Sequence, residues 1–293
     1  MNLQRAASYV RLHRGRLFVV KIGGACLARP SVLLRLASEL ALVEALGARL
    51  VVVHGAGPQS DRLQREAGEE PRKIGGRRVT TPIALSALRR ATLGELTSDL
   101  AAALTAEGTR ALGLCAGSAG LLVAARRPPI STDEGVVDFG AVGDVVRADA
   151  APLLALVEQG IVPVLSPPAS DGGRGFLNVN ADLAAAHLAV ALRAHKLVLV
   201  TSEAGVLRDP TDPGSLASTL ALEDLDELAR LGALRGGMEV KTNAIRLALT
   251  GGVERVHVVS GIQPEALLDE LYTTEGSGTL VTSHSSRPEI LAR

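Results

Sequence analysis

The chain has 293 residues, a length that suits one large domain or two lobes. Its 31 Lys and Arg residues balance 31 Asp and Glu residues, which argues against a nucleic-acid binder or a protein drawn to anionic membranes. Apolar residues make up 47% and charged residues 21%, enough for a sizeable core, and with no Trp, 2 Tyr and 3 Phe that core is built from Ala, Leu and Val rather than around stacking platforms.

The opening MNLQRAASYVRLHRGR is basic and holds no apolar run long enough for a signal peptide. LFVVKI, Leu17–Ile22, is apolar almost throughout and rich in Val, the mark of a strand buried on both faces. Residues 31–47 then repeat apolar positions at helical spacing, begin after Pro30 and stop at Gly47. A second strand is expected over 48–55, a helix over 82–107, a strand over 111–114, a helix over 151–159 and a strand over 161–166. Beyond these come a helix over 182–194, a strand over Lys196–Thr201, helices over 222–231 and 241–250, and a strand over 255–259. Such alternation implies an α/β fold, a mostly parallel central sheet with helices on both faces. Residues 121–145 break the rhythm and read as a hairpin or flap. A divide between two lobes falls near 167–175, PPASDGGRG, a stretch that equally suits a surface loop. The longest uncharged stretch, between Arg110 and Arg126, is interrupted by three glycines, so no membrane span is expected. Two cysteines, Cys26 and Cys115, without CxxC spacing point to a reducing, cytoplasmic setting, and both read as small packing residues.

Ligands of such sheets bind beyond the C-terminal ends of the strands. The first strand ends in Lys21-Ile-Gly-Gly and the second in His54-Gly-Ala-Gly-Pro. Glycines there allow close approach of an anion to backbone N–H groups, and the following helix N-terminus favours negative charge. Neither loop fits GxxxxGK[ST] or GxGxxG, and each taken singly is also a tight turn beside a solvated lysine. In FLNVNADLAAAHLA, Asn178, Asn180 and Asp182 crowd the start of an Ala-rich helix where one cap would suffice. In RGGMEVKTNA, Lys241 follows Gly236 and Gly237 at the expected helix start, where a cation opposes the helix dipole unless an anion compensates it.

Taken together, KIGG, HGAGPQ, GRRVTT, VDFGAVGDV, LNVNAD, TSEAGVL, GGMEVK and EGSGTLV stand in the order and at the spacing of the amino acid kinase family, and the chain most resembles its acetylglutamate kinases, from about Ser8 to Val281. The resemblance implies a three-layer αβα sandwich, with an acyl-amino-acid lobe over 17–175 and a nucleotide lobe over 176–284, flanked by an N-terminal interlacing helix over 1–16 and a tail over 285–293. It implies phosphorylation of the side-chain carboxylate of N-acetyl-L-glutamate by ATP, with Mg²⁺ carried on the nucleotide phosphates and no metal ligands from the protein. By position, Lys21 would contact the transferring phosphate, with Gly23 and Gly24 and the loop of Gly55, Ala56 and Gly57 lending backbone donors. Arg78 and Asn178 would hold the acceptor, Asp182 would orient the two lysines, Lys241 would face the nucleotide phosphates, and Ser202, Gly205 and Gly237 would line the nucleotide site. Tyr9, His257, Glu270 and Gly276 match the site at which arginine-inhibited members bind L-arginine, members in which the N-terminal helix joins dimers into hexamers.

The sequence also departs from the family pattern. Ala56 replaces a glycine, Thr97 and Gly75 each an Asn, and Ser202 an Asp. Similar drift marks the kinase-like domain of N-acetylglutamate synthase, so a catalytically silent, arginine-sensing subunit is the alternative. Those synthases need a further acetyltransferase domain, which is not expected in the 9 residues after His284, and the joint presence of Lys21, Asp182 and Lys241 favours a working kinase. A kinase for an acyl amino acid one methylene longer, such as acetylaminoadipate, is a third reading, since a methylene changes binding by only about 1–3 kcal/mol.

Overall fold

The computed structural model describes residues 3–75, 77–132, 135–234 and 237–284; the tail over 285–293 lies outside them. Eight strands form one sheet in the order Thr219–Ala221, Thr279–Thr282, Arg255–Ser260, Lys196–Thr201, Leu17–Ile22, Arg49–His54, Val162–Ser166 and Ala111–Cys115. The six from Arg255–Ser260 to Ala111–Cys115 pair in parallel, and Thr279–Thr282 runs antiparallel to its neighbour Arg255–Ser260. A parallel sheet must be covered on both faces, and two apolar clusters do this. Alternate residues of the central strands divide between them. Val19, Val51, Val53, Leu197 and Leu199 pack on one face, and Phe18, Val20, Ile22, Val52, Val198 and Val200 on the other.

That period of two places Lys21. It shares the face of Val19, and the helix Ala181–Ala191 covers that face with fully buried Ala184, Ala185, Ala186 and Leu188. A lysine inside an otherwise apolar strand therefore points at the N-terminal end of the covering helix. The register Ile22↔His54 brings both strands to their C-terminal ends at the same level, so the two glycine loops leave the sheet side by side.

The expected helix over 82–107 is present but not regular. It runs as Pro82–Arg89, passes through a π-helical stretch, Arg90–Leu96, and resumes as Thr97–Ala106. The flap is a hairpin system. Leu122–Arg126 pairs antiparallel with Gly143–Ala148, and Ile130–Thr132 with Gly135–Val137. The 167–175 stretch carries Ala169–Ser170, which joins Leu122–Arg126 and Phe176–Leu177 in the small four-stranded sheet. Elements beyond the sequence reading include the helices Gly57–Glu66 and Ala266–Tyr272, the short strands Thr219–Ala221 and Thr279–Thr282, and the antiparallel hairpin of Lys73–Ile74 with Arg77–Arg78. At the N-terminus the helix Leu3–His13 packs through Ala6 and His13, with half-buried Tyr9 and Val10, onto the second cluster. Among the described residues no helix is long and apolar enough to cross a membrane.

Candidate active site

Lys21 and Lys241 converge on one carboxylate. Lys21 Nζ lies 2.7 Å from Asp182 Oδ1 and Lys241 Nζ 3.7 Å from Asp182 Oδ2, with all three side chains largely buried. Burial alone would raise the Asp182 pKa; the charges and hydrogen bonds of Lys21 and Lys241 outweigh it and hold the group below the usual carboxylate range. Burial lowers the Lys241 pKa, against the pull of Asp182 and with the push of Lys21. Asp182 is not the helix cap. Asn180 takes that role, its Oδ1 accepting from the N–H groups of Asp182 at 2.9 Å and Leu183 at 3.1 Å, which leaves the Asp182 carboxylate to the lysines.

Lys241 needs a correction. Its helix begins at Gly237, so Lys241 stands in the second turn, past the region where a cation opposes the dipole most strongly. The anion that compensates it is Asp182 on another helix.

The glycine loops need a second correction. The Gly23 N–H donates to Val200 O at 2.8 Å and the Gly55 N–H to Ile22 O at 2.9 Å, so neither is available to a phosphate. Gly24, Ala56 and Gly57 donate to no backbone carbonyl among the described residues, and they face the cavity between the loops. A Cβ on Gly24 would come within 2.7 Å of the Ala56 and Gly57 nitrogens, so only glycine allows the loops this approach. Ala56 is accommodated because its φ of −145° requires no glycine and its methyl joins the apolar cluster on that side of the sheet. Thr97 likewise has a place. The π-helical stretch delivers it to the second strand, where its Oγ1 lies 2.7 Å from Nε2 of buried His54. Burial drives the His54 pKa down to about 4, so the ring is neutral and Thr97 satisfies a group that would otherwise be stranded beneath the loop.

Two adjoining cavities flank the triad. One, of about 370 Å³, is lined by Lys21, Gly24, Ala56, Gly57, Arg78, Asn178 and Asp182; the other, of about 250 Å³, by Lys241, Asp182, Gly237 and Glu239. Arg78 pairs with Asp61 and donates to Gln64 Oε1 and Gly57 O, both at 3.3 Å, which fixes its fork at the cavity wall. Asn178 donates to Thr80 Oγ1 at 2.9 Å. Ser202 and Gly205 follow the strand Lys196–Thr201 and line neither cavity. Ser202 is exposed and donates to Glu203 at 3.3 Å, while a Cβ on Gly205 would meet Leu216 and Thr279 at 2.7 Å, which makes it a packing glycine. Sequence reasoning missed Lys73, Arg77, Arg127 and Asn243 on the cavity walls; the Arg-Arg doublet of GRRVTT was the available cue for Arg77.

At the far end of the sheet, His257, Glu270 and Gly276 also come together. Glu270 Oε1 lies 2.7 Å from His257 Nδ1, and Oε2 accepts from the N–H groups of Ser277 at 2.9 Å and Gly278 at 2.8 Å. Gly276, at φ +66°, leaves no room for a Cβ, which would stand 2.8 Å from Glu270 Oε2. Lys196 Nζ sits 3.2 Å from His257 Nε2. Burial, aided by the charge of Lys196, lowers the His257 pKa to about 4, so the neutral ring donates from Nδ1 and accepts at Nε2. Tyr9 approaches this region through His13, its ring 6.2 Å away, and the His13 ring stands 5.2 Å from that of Tyr272.

A mostly parallel α/β sheet whose C-terminal edge carries two glycine loops and a buried Lys-Asp-Lys triad has the parts of a phosphoryl-transfer enzyme. The model of the amino acid kinase family matches residues 16–260, and the chain belongs to that family. It is 42% identical to the acetylglutamate kinase of Myxococcus xanthus, over 97% of this chain and 94% of that one. It is 38% identical to the acetylglutamate kinase of Symbiobacterium thermophilum, over 95% and 96%. Among solved structures, N-acetylglutamate synthase from Neisseria gonorrhoeae complexed with coenzyme A and N-acetyl-glutamate superposes with a TM-score of 0.84 at 30% identity; the match takes in 97% of this chain and 63% of the synthase's length. The same synthase complexed with coenzyme A and L-arginine gives a TM-score of 0.77 at 28% identity, over 96% of this chain and 65% of that one.

Proposed function

We propose that the chain transfers the γ-phosphoryl group of ATP to the side-chain carboxylate of N-acetyl-L-glutamate, the step of arginine biosynthesis that its acetylglutamate kinase relatives are named for. The observation that carries the reading is the Lys21–Asp182–Lys241 triad, with Asp182 on the wall shared by the two cavities, Lys21 lining the larger and Lys241 the smaller. The acceptor carboxylate, with a reference pKa of about 4.3, is already ionised at neutral pH, so no general base is needed. Its oxygen bonds to Pγ as the bridging P–O bond to ADP breaks, and the electron pair leaves on the β-phosphate. The obstacle is repulsion between two anions. Lys21 from the acceptor side, Lys241 from the nucleotide side, and the N–H groups of Gly24, Ala56 and Gly57 lower it by facing the charge where it gathers.

Arg78 suits the acceptor's α-carboxylate as a planar fork held in place by Asp61, and Asn178 holds the acceptor's other end while tied to Thr80. Gly237 belongs to the nucleotide side with Lys241, whereas Ser202 and Gly205 lie outside both cavities and Gly23 stands behind the first loop as a structural residue. Both oxygens of Asp182 face lysines, so this carboxylate is committed to cations already and Mg²⁺ would be held by the nucleotide phosphates. Bound there, Mg²⁺ would neutralise charge on the phosphates.

The catalytically silent alternative is disfavoured because it gives no reason for two buried lysines on one acid. L-Arginine is the proposed regulator, at Tyr9, His257, Glu270 and Gly276, and the N-terminal helix is the element by which dimers would join into a hexamer in the cytoplasm. One assay tests the reading. With Mg-ATP, N-acetyl-L-glutamate and hydroxylamine, the chain is expected to accumulate the hydroxamate of the acyl phosphate, faster than with N-acetylaminoadipate and more slowly once L-arginine is added. No hydroxamate from either acceptor would contradict the kinase, and a rate indifferent to arginine would contradict the regulatory site alone.

A further inference from the structure

We propose that Arg77 is a further catalytic residue, a guanidinium that touches the transferring phosphoryl group where the two cavities meet; the inference rests on the kinase reading above. The larger cavity is walled by Lys21 and not Lys241, the smaller by Lys241 and not Lys21. Five residues line both: Arg77, Asn180, Asp182, Val240 and Asn243. Arg77 is the one cation among them. Lys21 and Lys241 both face Asp182 at this junction, so a phosphoryl group held between the two amines would sit there, and Arg77 lines it from both cavities.

The other wall cations are already engaged. Lys21 and Lys241 face Asp182, Lys73 and Arg78 pair with Asp61, and Arg127 holds Asp144 through two nitrogens. The hairpin pairing Ile74↔Arg77 occupies the Arg77 backbone, and its side chain is exposed with no hydrogen bond or ion pair among the described residues. The nearby acid is Asp144. Arg127 accounts for most of the depression of its pKa, by hydrogen bond and by charge, against the cost of burial, and Arg77 adds only its charge at a distance. Arg77 is thus an exposed guanidinium, without a hydrogen bond or ion pair among the described residues, on the wall where the two cavities meet.

During transfer, the acceptor oxygen forms its bond to Pγ while the Pγ–O bond to ADP breaks, its electron pair passing to ADP and no proton moving. Charge gathers on the three equatorial oxygens of Pγ. Two ammonium groups act there as point charges, whereas a guanidinium spans two of the oxygens at once. Arg77 adds that two-point contact from the Lys73–Arg78 hairpin.

The test is steady-state kinetics of R77Q and R77K with Mg-ATP and N-acetyl-L-glutamate. It is joined to the affinity of each form for Mg-ADP with aluminium fluoride in the presence of N-acetyl-L-glutamate. R77Q is expected to lower kcat about 100-fold, as loss of one aimed donor does, with both KM values within about threefold. Affinity for the aluminium fluoride complex is expected to fall by a similar factor, because that complex imitates the transition state. R77K is expected to recover only part of the loss, since the ammonium keeps the charge and loses the fork. An R77Q enzyme with unchanged kcat, or a loss confined to the KM for N-acetyl-L-glutamate, would overturn the assignment. The side chain is exposed, so the thermal midpoint of R77Q should match that of the unsubstituted chain and a folding defect can be told apart. No turnover by the unsubstituted chain would remove the kinase reading and this inference with it, whereas turnover unaffected by R77Q would remove the inference alone.

Discussion

Replacing Lys21 or Lys241 by Met is expected to lower kcat by about two orders of magnitude each, the typical cost of removing one aimed donor from a site where charge develops. Met keeps most of the length and apolar stem, so the change isolates the ammonium. Because each lysine is proposed to act on the transferring group rather than on bound substrate, kcat and kcat/KM should fall together. The double variant should fall short of the product of the two losses, since both lysines serve one phosphoryl group.

The two variants should part company in stability. Lys21 is the close partner of Asp182, at 2.7 Å, and Lys241 the distant one, at 3.7 Å. Lys21→Met leaves a buried carboxylate with only the weaker contact, and breaking a buried pair typically costs about 3–5 kcal/mol. Lys241→Met leaves the close pair intact and should cost clearly less. Urea unfolding beside steady-state kinetics checks both halves. Near-normal turnover in either variant would contradict the assignment, and equal loss of stability would contradict the geometry.

Asp182→Asn is the second large effect. It keeps the shape and removes the charge, leaving two ammonium groups buried against each other with no acid between them. Like charge and burial both favour the neutral amine, so the Lys241 pKa should drop below its value in the unsubstituted enzyme. Activity that depends on charged Lys241 is lost as pH rises through its folded pKa, which burial has already lowered. The alkaline limb of the kcat profile should therefore move to lower pH in the variant. The acid side follows the opposite sign. Asp182 has its folded pKa depressed, so the native state binds fewer protons than the unfolded chain between the two values. Its contribution to stability is complete above the unfolded value of about 3.9 and is lost as pH falls through the lower folded value. Asp182→Asn should lack that part of the acid unfolding transition. An alkaline limb that stays in place would show that Asp182 does not set the charge of Lys241.

The first strand is readable from sequence because both its faces are buried, which forces a near-continuous apolar run in which Lys21 stands out. Its partner is not readable in the same way. Asp182 opens an Ala-rich helix and looks like a cap, and only the fold reveals that Asn180 caps the helix while the carboxylate turns to Lys21 and Lys241. The second glycine loop is legible, but which of its N–H groups are free is not. The bonds from Gly23 to Val200 and from Gly55 to Ile22 depend on strand order, which periodicity does not encode. The helix Gly57–Glu66 escapes notice because only Ser60, Leu63 and Gln64 of its ten residues are buried, too few to print an apolar stripe. The order of the motifs supplied what periodicity could not. It placed His257, Glu270 and Gly276 together, and the fold sets His257 within hydrogen-bond reach of Glu270 and Gly276 where an added Cβ would stand 2.8 Å from Glu270 Oε2. It did not point to Arg77, which stands on a two-residue hairpin strand with no apolar pattern to mark its direction.

The most direct test of the account is a crystal structure with Mg-ADP, aluminium fluoride and N-acetyl-L-glutamate bound. The account predicts the Lys21 and Lys241 amines each within about 3 Å of the trapped fluoride group, on opposite sides of it, with Asp182 bonded to both. Either amine turned to solvent, or an Asp182 that has released one of them, would contradict it.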